Sequence, residues 1–268
     1  MSRLLPTISV EKPWGKDRLP APFATPDGKR IGEIWFEPPP ELDRLLVKYI
    51  FTSEKLSVQV HPDDEQSEAA GKGRQGKSEC WYVIDADPGA TLGIGLAGHA
   101  DTETLRAAAL DGSIEDMLVW HNVRAGDFFY IPANTVHAIG AGVSLIEVQQ
   151  NSDITYRLYD YGRPRELHLD EGLAVAKGEP YDLALSGHVV PTGTQRLVSG
   201  PYFVLDRVEG PVGDEPAAEY PAALLAIPRS AGVTVEGRPV AVGECALVDA
   251  IGSLEIEVGA TCLLTRAL

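Results

Sequence analysis

A chain of 268 residues with 44% hydrophobic and 23% charged side chains can build one large folded domain or two modest ones, and it lacks the composition of a disordered segment. Its formal net charge of −16 argues against nucleic acid or an anionic membrane as partner, because both demand basic surfaces, and no apolar run reaches the roughly 18 residues of a membrane-spanning helix. Cys80, Cys245 and Cys262 are odd in number and far apart, which disfavours a disulfide framework or a cysteine zinc site and reads as reduced, buried thiols.

The opening MSRLLPTISVEKPWG has no sustained apolar core or small-residue cleavage site, so the expected location is the cytoplasm. Strand-like segments follow: GEIWFEP (32–38), LLVKYIF (45–51), KLSVQVH (55–61) and ECWYVID (79–85), each bounded by Gly, Pro, Asp or Asn. A helical island lies near 101–120, where Asp101 or Thr102 can cap a first helix and Ser113 a second. Strands resume in DFFYIPA (127–133) and VSLIEVQ (143–149). The polar, Gly/Pro-containing stretch 166–195 reads as a linker. Beyond it, PYFVLDRVE (201–209), AALLAIP (222–228), GVTVEGRPVAVGECALVDA (232–250) and SLEIEVGATCLLTRA (253–267) form a second β-rich region. Many short punctuated strands predict a mainly β protein of sandwich or barrel type, divided into residues 1–188 and 189–268.

In LSVQVHPDDE, Gln59 and His61 are two apart on a strand and leave the same face. An amide and an imidazole on an apolar inward face need partners, and a metal ion would satisfy both. Lys77, two before Glu79, shares a face with it if that strand extends so far. With Lys72 and Arg74 it makes GKGRQGK the most basic patch of the chain. Lys48 interrupts an apolar strand and either faces inward or snorkels to a rim. His99, His121, His168 and His188 fall in loops, helix ends or the linker and receive no role.

GDFFYIPANTVHAIG (126–140) delivers His137 from a strand and a tight turn, and resembles the second motif of the cupin superfamily, with Asn134 where glycine is usual; asparagine tolerates the left-handed backbone. In that frame, QVHPDDE, GKSECWYVID and PANTVHAIG, in this order and flanked by KPWG, GEIW, LLVKYIF and NSDITYRLYDYGR, resemble the type I phosphomannose isomerase family in its short bacterial form, over roughly residues 11–170. The resemblance implies a cupin-type β-barrel (jelly roll) with a short helical insertion, followed by a smaller, metal-free, cupin-like domain in which Asp249 replaces the motif proline after Gly243.

It also implies one Zn²⁺ per chain, held by Gln59, His61, Glu79 and His137, a donor set suited to zinc. Arg157 and Glu147 match family positions near the sugar, and Asp153 matches a family position; Lys77, Arg157 and Lys48 are the expected substrate contacts. The implied reaction interconverts mannose 6-phosphate and fructose 6-phosphate through a cis-enediol, with the base open among Lys77, Glu147 and Asp153. The partner is then a small sugar phosphate, not nucleic acid or a membrane. Two rivals differ in chemistry: a non-haem Fe(II) oxygenase, since His61, Glu79 and His137 also make a two-histidine, one-carboxylate set, and a non-catalytic sugar-binding cupin. The sequence departs from larger family members in lacking their long helical insertion and in carrying Ile139 where those have tyrosine.

Overall fold

A computed structural model describes residues 1–268, the side chain of residue 215 apart. The chain is mainly β. Seven antiparallel strands lie in the order Ser186–His188, Asp127–Ile131, Glu79–Ala86, Val143–Gln150, Leu45–Phe51, Ile31–Phe36, Thr7–Lys16. A five-stranded sheet, in the order Tyr156–Tyr159, Val58–Val60, His137–Ile139, Thr91–Leu96, Leu118–Asn122, faces it and completes a barrel. The C-terminal region contributes sheets of six and three strands, and the first strand of the chain, Arg3–Leu4, pairs with Ala246–Val248 at the edge of the larger one.

The central strands of the seven-stranded sheet are buried on both faces, which explains why LLVKYIF and VSLIEVQQ read as nearly continuous apolar runs. Alternation along each strand sorts the side chains. Ile50, Trp81, Val83, Phe129 and Leu145 point into the barrel, while Tyr49, Phe51, Tyr82, Phe128, Tyr130 and Val148 point outward. The outward set shares one core with Phe203, Leu205, Leu225, Leu247 and Leu263 of the C-terminal sheet. That sheet turns its other side chains, among them Val204, Leu224, Val248 and Leu264, into a core of its own.

The helical region is shorter than its expected span near 101–120. It resolves into Thr102–Asp111, capped by Asp101, and Ile114–Met117, after which Leu118–Asn122 is a strand. The reason is pairing: Trp120 and His121 stand opposite Gly93 and Leu92, and this ladder overrides helical continuation. Ser113 makes no cap bond; its hydroxyl is taken by Asp111. No helix among the described residues is long and apolar enough to cross a membrane.

Candidate metal centre and adjoining pocket

Gln59 sits on the three-residue strand Val58–Val60, directly opposite His137 on one side and Arg157 on the other. One row across the five-stranded sheet therefore carries amide, imidazole and guanidinium into the barrel. Facing it, the seven-stranded sheet presents a second row in which Trp35, Lys48, Glu147 and Trp81 are successive cross-strand neighbours. Glu79 enters two residues from Trp81, on the same strand face.

His61 follows the strand and is tied in by the turn that carries the second motif. Asn134 has the left-handed φ of 73°, which brings its N–H to the His61 carbonyl at 2.8 Å, and its side-chain amide donates to Gln66 at 2.6 Å. Gln66 is half of a capping box with Asp63 that starts the helix Asp64–Ala69. The asparagine in the usual glycine position thus joins the two histidine segments. Gly76 has a different task. A Cβ there would lie 2.3 Å from the backbone of Asp63, so only glycine lets the GKGRQGK loop close on PDD. Lys77 follows, outside the strand that begins at Glu79, and its backbone N–H binds the Pro62 carbonyl at 2.9 Å.

His61, Glu79 and His137 are buried and their ligand atoms lie within 4.8 Å of one another. Nε2 of His61 is 3.6 Å from Glu79 Oε2, and Nε2 of His137 is 3.4 Å from Glu79 Oε1. Each imidazole directs Nδ1 to a backbone carbonyl, Ile154 at 2.7 Å and Thr135 at 2.8 Å, so its N–H is used there and the Nε2 lone pair faces the centre. That is the tautomer a metal requires. Oε1 of Glu79 has no hydrogen-bond partner despite complete burial. An unpartnered carboxylate oxygen between two inward lone pairs is a donor set that fits Zn²⁺. Gln59 lies beside it, with Nε2 3.3 Å from His137 Nε2; as a metal ligand it would turn its oxygen inward.

Burial pushes His137 down to about 4 and His61 well below the usual histidine range, the latter helped by the Lys77 ammonium. Burial, reinforced by the charge of Glu147, raises Glu79 to about 7 against the pull of Lys77. Both histidines are therefore neutral at neutral pH, and Glu79 takes up a proton far more readily than an exposed carboxylate. It follows that zinc binding at pH 6 should release about one proton, because the coordinating carboxylate must be ionised. Calorimetric titration in two buffers of different ionisation enthalpy measures this. Proton release that does not grow as the pH falls from 8 to 6 would contradict the assignment of Glu79.

Lys77 Nζ lies 2.6 Å from Glu79 Oε2, 3.0 Å from His61 Nε2 and 3.8 Å from Glu147 Oε1. Burial works to lower its pKa, but Glu147 and Glu79 together outweigh burial and raise it. Glu147 accepts from Lys48 Nζ at 3.0 Å and from Trp81 Nε1 at 3.0 Å. Burial opposes its ionisation, yet Lys48 and Lys77 hold it down at about 2. Lys48 does not snorkel: it is 5% exposed and turns inward onto this carboxylate.

These groups open into a pocket of ≈260 Å³ whose walls include Lys48, Gln59, Lys77, Glu147, Asp153 and Arg157, together with Lys12, Trp14, Glu33, Trp35, Ser57 and Arg165. Arg157 donates Nη1 to the Glu166 carbonyl, while its Nε is buried without a partner. Lys72 and Arg74 border an adjoining cleft that shares Trp35 and Asp153 with the pocket. The residues that sequence reasoning missed carried a usable signal: Glu33 and Trp35 in GEIW are spaced by two, like Gln59 and His61, and a carboxylate in an apolar strand is as conspicuous as Lys48.

No family model matches the chain. A protein of Streptococcus mutans named mannose-6-phosphate isomerase is 40% identical over 192 residues, which is 66% of this chain and 58% of that protein, so the chain spans somewhat over half the length of the curated relative. The crystal structure of the mannose 6-phosphate isomerase from Bacillus subtilis is 26% identical and superposes with a TM-score of 0.80 over 98% of both chains. A zinc-bound mannose 6-phosphate isomerase, 14% identical, shares the fold with a TM-score of 0.74 over 99% of both. By sequence over 66% of its length and by fold over 98% of it, the chain is similar to mannose-6-phosphate isomerases.

Proposed function

We propose that the chain is a zinc-dependent isomerase that interconverts mannose 6-phosphate and fructose 6-phosphate through a cis-enediol, acting in the cytoplasm on a small sugar phosphate. The observation that carries this reading is the convergence of two inward histidine lone pairs on an unpartnered Glu79 oxygen, a cluster that Lys77 joins to a pocket lined by Gln59, Glu147 and Arg157. Gln59, His61, Glu79 and His137 would hold one Zn²⁺. When bound, the ion supplies a Lewis acid for the sugar's carbonyl and hydroxyl oxygens.

The remaining work falls to side chains. The proton on C2 must leave, and one must arrive at C1, while the O2 proton passes to O1; negative charge builds on oxygen in between. Arg157 has free, permanently charged donors at the pocket and is suited to hold that oxygen. Lys77, Glu147 and Asp153 are the groups able to carry the proton. Lys48 keeps Glu147 paired and, with Lys77, adds the positive charge that an anionic substrate needs in a chain of net charge −16. In this proposal residues 1–188 do the chemistry and residues 189–268 hold no metal and cover the outer face of the barrel.

A coupled assay with mannose 6-phosphate, before and after chelation and with zinc added back, tests the reading. Metal-replete protein that isomerises neither sugar phosphate would end it, and bound iron with oxygen consumption would move the site to the oxygenase class. Arg157→Ala is expected to lower kcat/KM by roughly 10²–10³, the cost of removing one donor to a developing oxyanion, with zinc content unchanged. Steady-state kinetics alongside elemental analysis checks both halves of that expectation.

A further inference from the structure

The row across the seven-stranded sheet has an order of its own: Trp35, Lys48, Glu147, Trp81, aromatic, cation, anion, aromatic. Trp81 binds the anion through its indole N–H. Trp35 meets the cation through its ring, with Lys48 Nζ 4.6 Å from the ring centroid. The indole is itself held, since its N–H donates to Glu33 and Glu33 is paired with Lys12 at 3.2 Å.

Lysine is the least constrained member of this row, because an ammonium on a flexible four-carbon stem has no preferred fork geometry. Glu147 is also shared: Lys48 lies 3.0 Å from Oε1 and Lys77 3.8 Å from the same oxygen. Were Lys48 to swing away, Glu147 would draw Lys77 off Glu79 and His61. A ring face against a desolvated ammonium is the restraint on that movement.

We propose that Trp35 is a positioning residue of the site, its ring face holding the Lys48 ammonium against Glu147 and so leaving Lys77 with Glu79 and His61. Its effect on turnover rests on the isomerase reading above; the contact itself does not.

The test is a double-mutant cycle of Trp35→Leu and Lys48→Met, with Trp35→Phe as the variant that keeps a ring face and loses the N–H. Trp35→Leu should lower kcat for mannose 6-phosphate roughly tenfold to thirtyfold at constant zinc content, the range set by a desolvated cation–π contact. Trp35→Phe should recover most of that loss, and the double variant should be no slower than Lys48→Met alone. Losses that multiply, a phenylalanine variant as slow as the leucine one, or zinc lost from Trp35→Leu would overturn the proposal. If Lys48→Met does not fold, the comparison of phenylalanine with leucine decides. The same cycle is read in urea unfolding, which needs no activity. Non-additive unfolding in a protein that turns over neither sugar phosphate would remove the isomerase reading and leave the contact standing, whereas additivity in both measurements would remove the contact.

Discussion

On the proposed function, Glu79→Gln should abolish stable zinc binding and lower isomerase activity by three or more orders of magnitude, while leaving the metal-free protein folded and no less stable at neutral pH. Glutamine keeps the shape and removes the one negative charge among His61, Glu79 and His137. For a divalent ion that charge is decisive, because two neutral imidazoles and an amide cannot offset the loss of hydration. Several kcal/mol of transition-state stabilisation leave with the metal, and each 1.36 kcal/mol is a factor of ten in rate.

The stability half of the result has the opposite sign. Glu79 has a folded pKa raised to about 7, above its ordinary 4.5. Its contribution to metal-free stability is therefore fully present below pH 4.5 and is lost as the pH rises through 7. A glutamine at this place has no such loss, so the variant gains on the wild type between pH 4.5 and 7. His61 and His137, with lowered values, act the other way in both proteins and cancel in the difference. Urea unfolding of chelated protein at pH 5 and pH 8, with elemental analysis, measures both parts. Zinc retained by Glu79→Gln at one per chain would show that the carboxylate is not a ligand.

What the sequence made legible was the part of the site set by short-range geometry. The i, i+2 spacing of Gln59 and His61 places both in the barrel, and the turn through Asn134 with φ of 73° delivers His137 beside them. Glu33 and Trp35 obey the same spacing and went unread because GEIW offers one short strand with no metal-type donor pair to attract notice. The Lys48–Glu147 pair was out of reach for another reason: it depends on the register between strands 99 residues apart, which no local pattern encodes. Lys77 lies beside Glu79 by a route other than the shared strand face that its spacing suggests. Its side chain reaches Glu79, but from an extended segment fixed by Gly76 and Pro62, not from the strand itself. The pairing of Arg3–Leu4 with Ala246–Val248 was invisible, since two residues carry no periodicity.

The same blindness hides the strongest dependence in the molecule: a fragment ending at residue 190 should fail to form a soluble, zinc-retaining barrel. Apolar runs such as LLVKYIF announce burial but not what does the burying. Here one face of the seven-stranded sheet encloses the pocket and the other lies against the C-terminal sheet. Cutting the chain would bare Tyr49, Phe51, Tyr82, Phe128, Tyr130 and Val148, which are at most 8% exposed in the whole protein. At about 1.5–3 kcal/mol for each fully buried side chain, six of them amount to at most roughly 9–18 kcal/mol, comparable with the whole 5–15 kcal/mol by which a domain is ordinarily stable. The strands that lose this cover are the ones that carry Lys48, Glu79 and Glu147, so the site should be lost with the fold. Soluble yield, near-ultraviolet circular dichroism and zinc content of the fragment check this, and supplying residues 191–268 as a separate chain should restore all three in part. A fragment that stays soluble, unfolds cooperatively and keeps its zinc would mean that the barrel closes its own core, and that the C-terminal sheet is an addition to the barrel and not a wall of it.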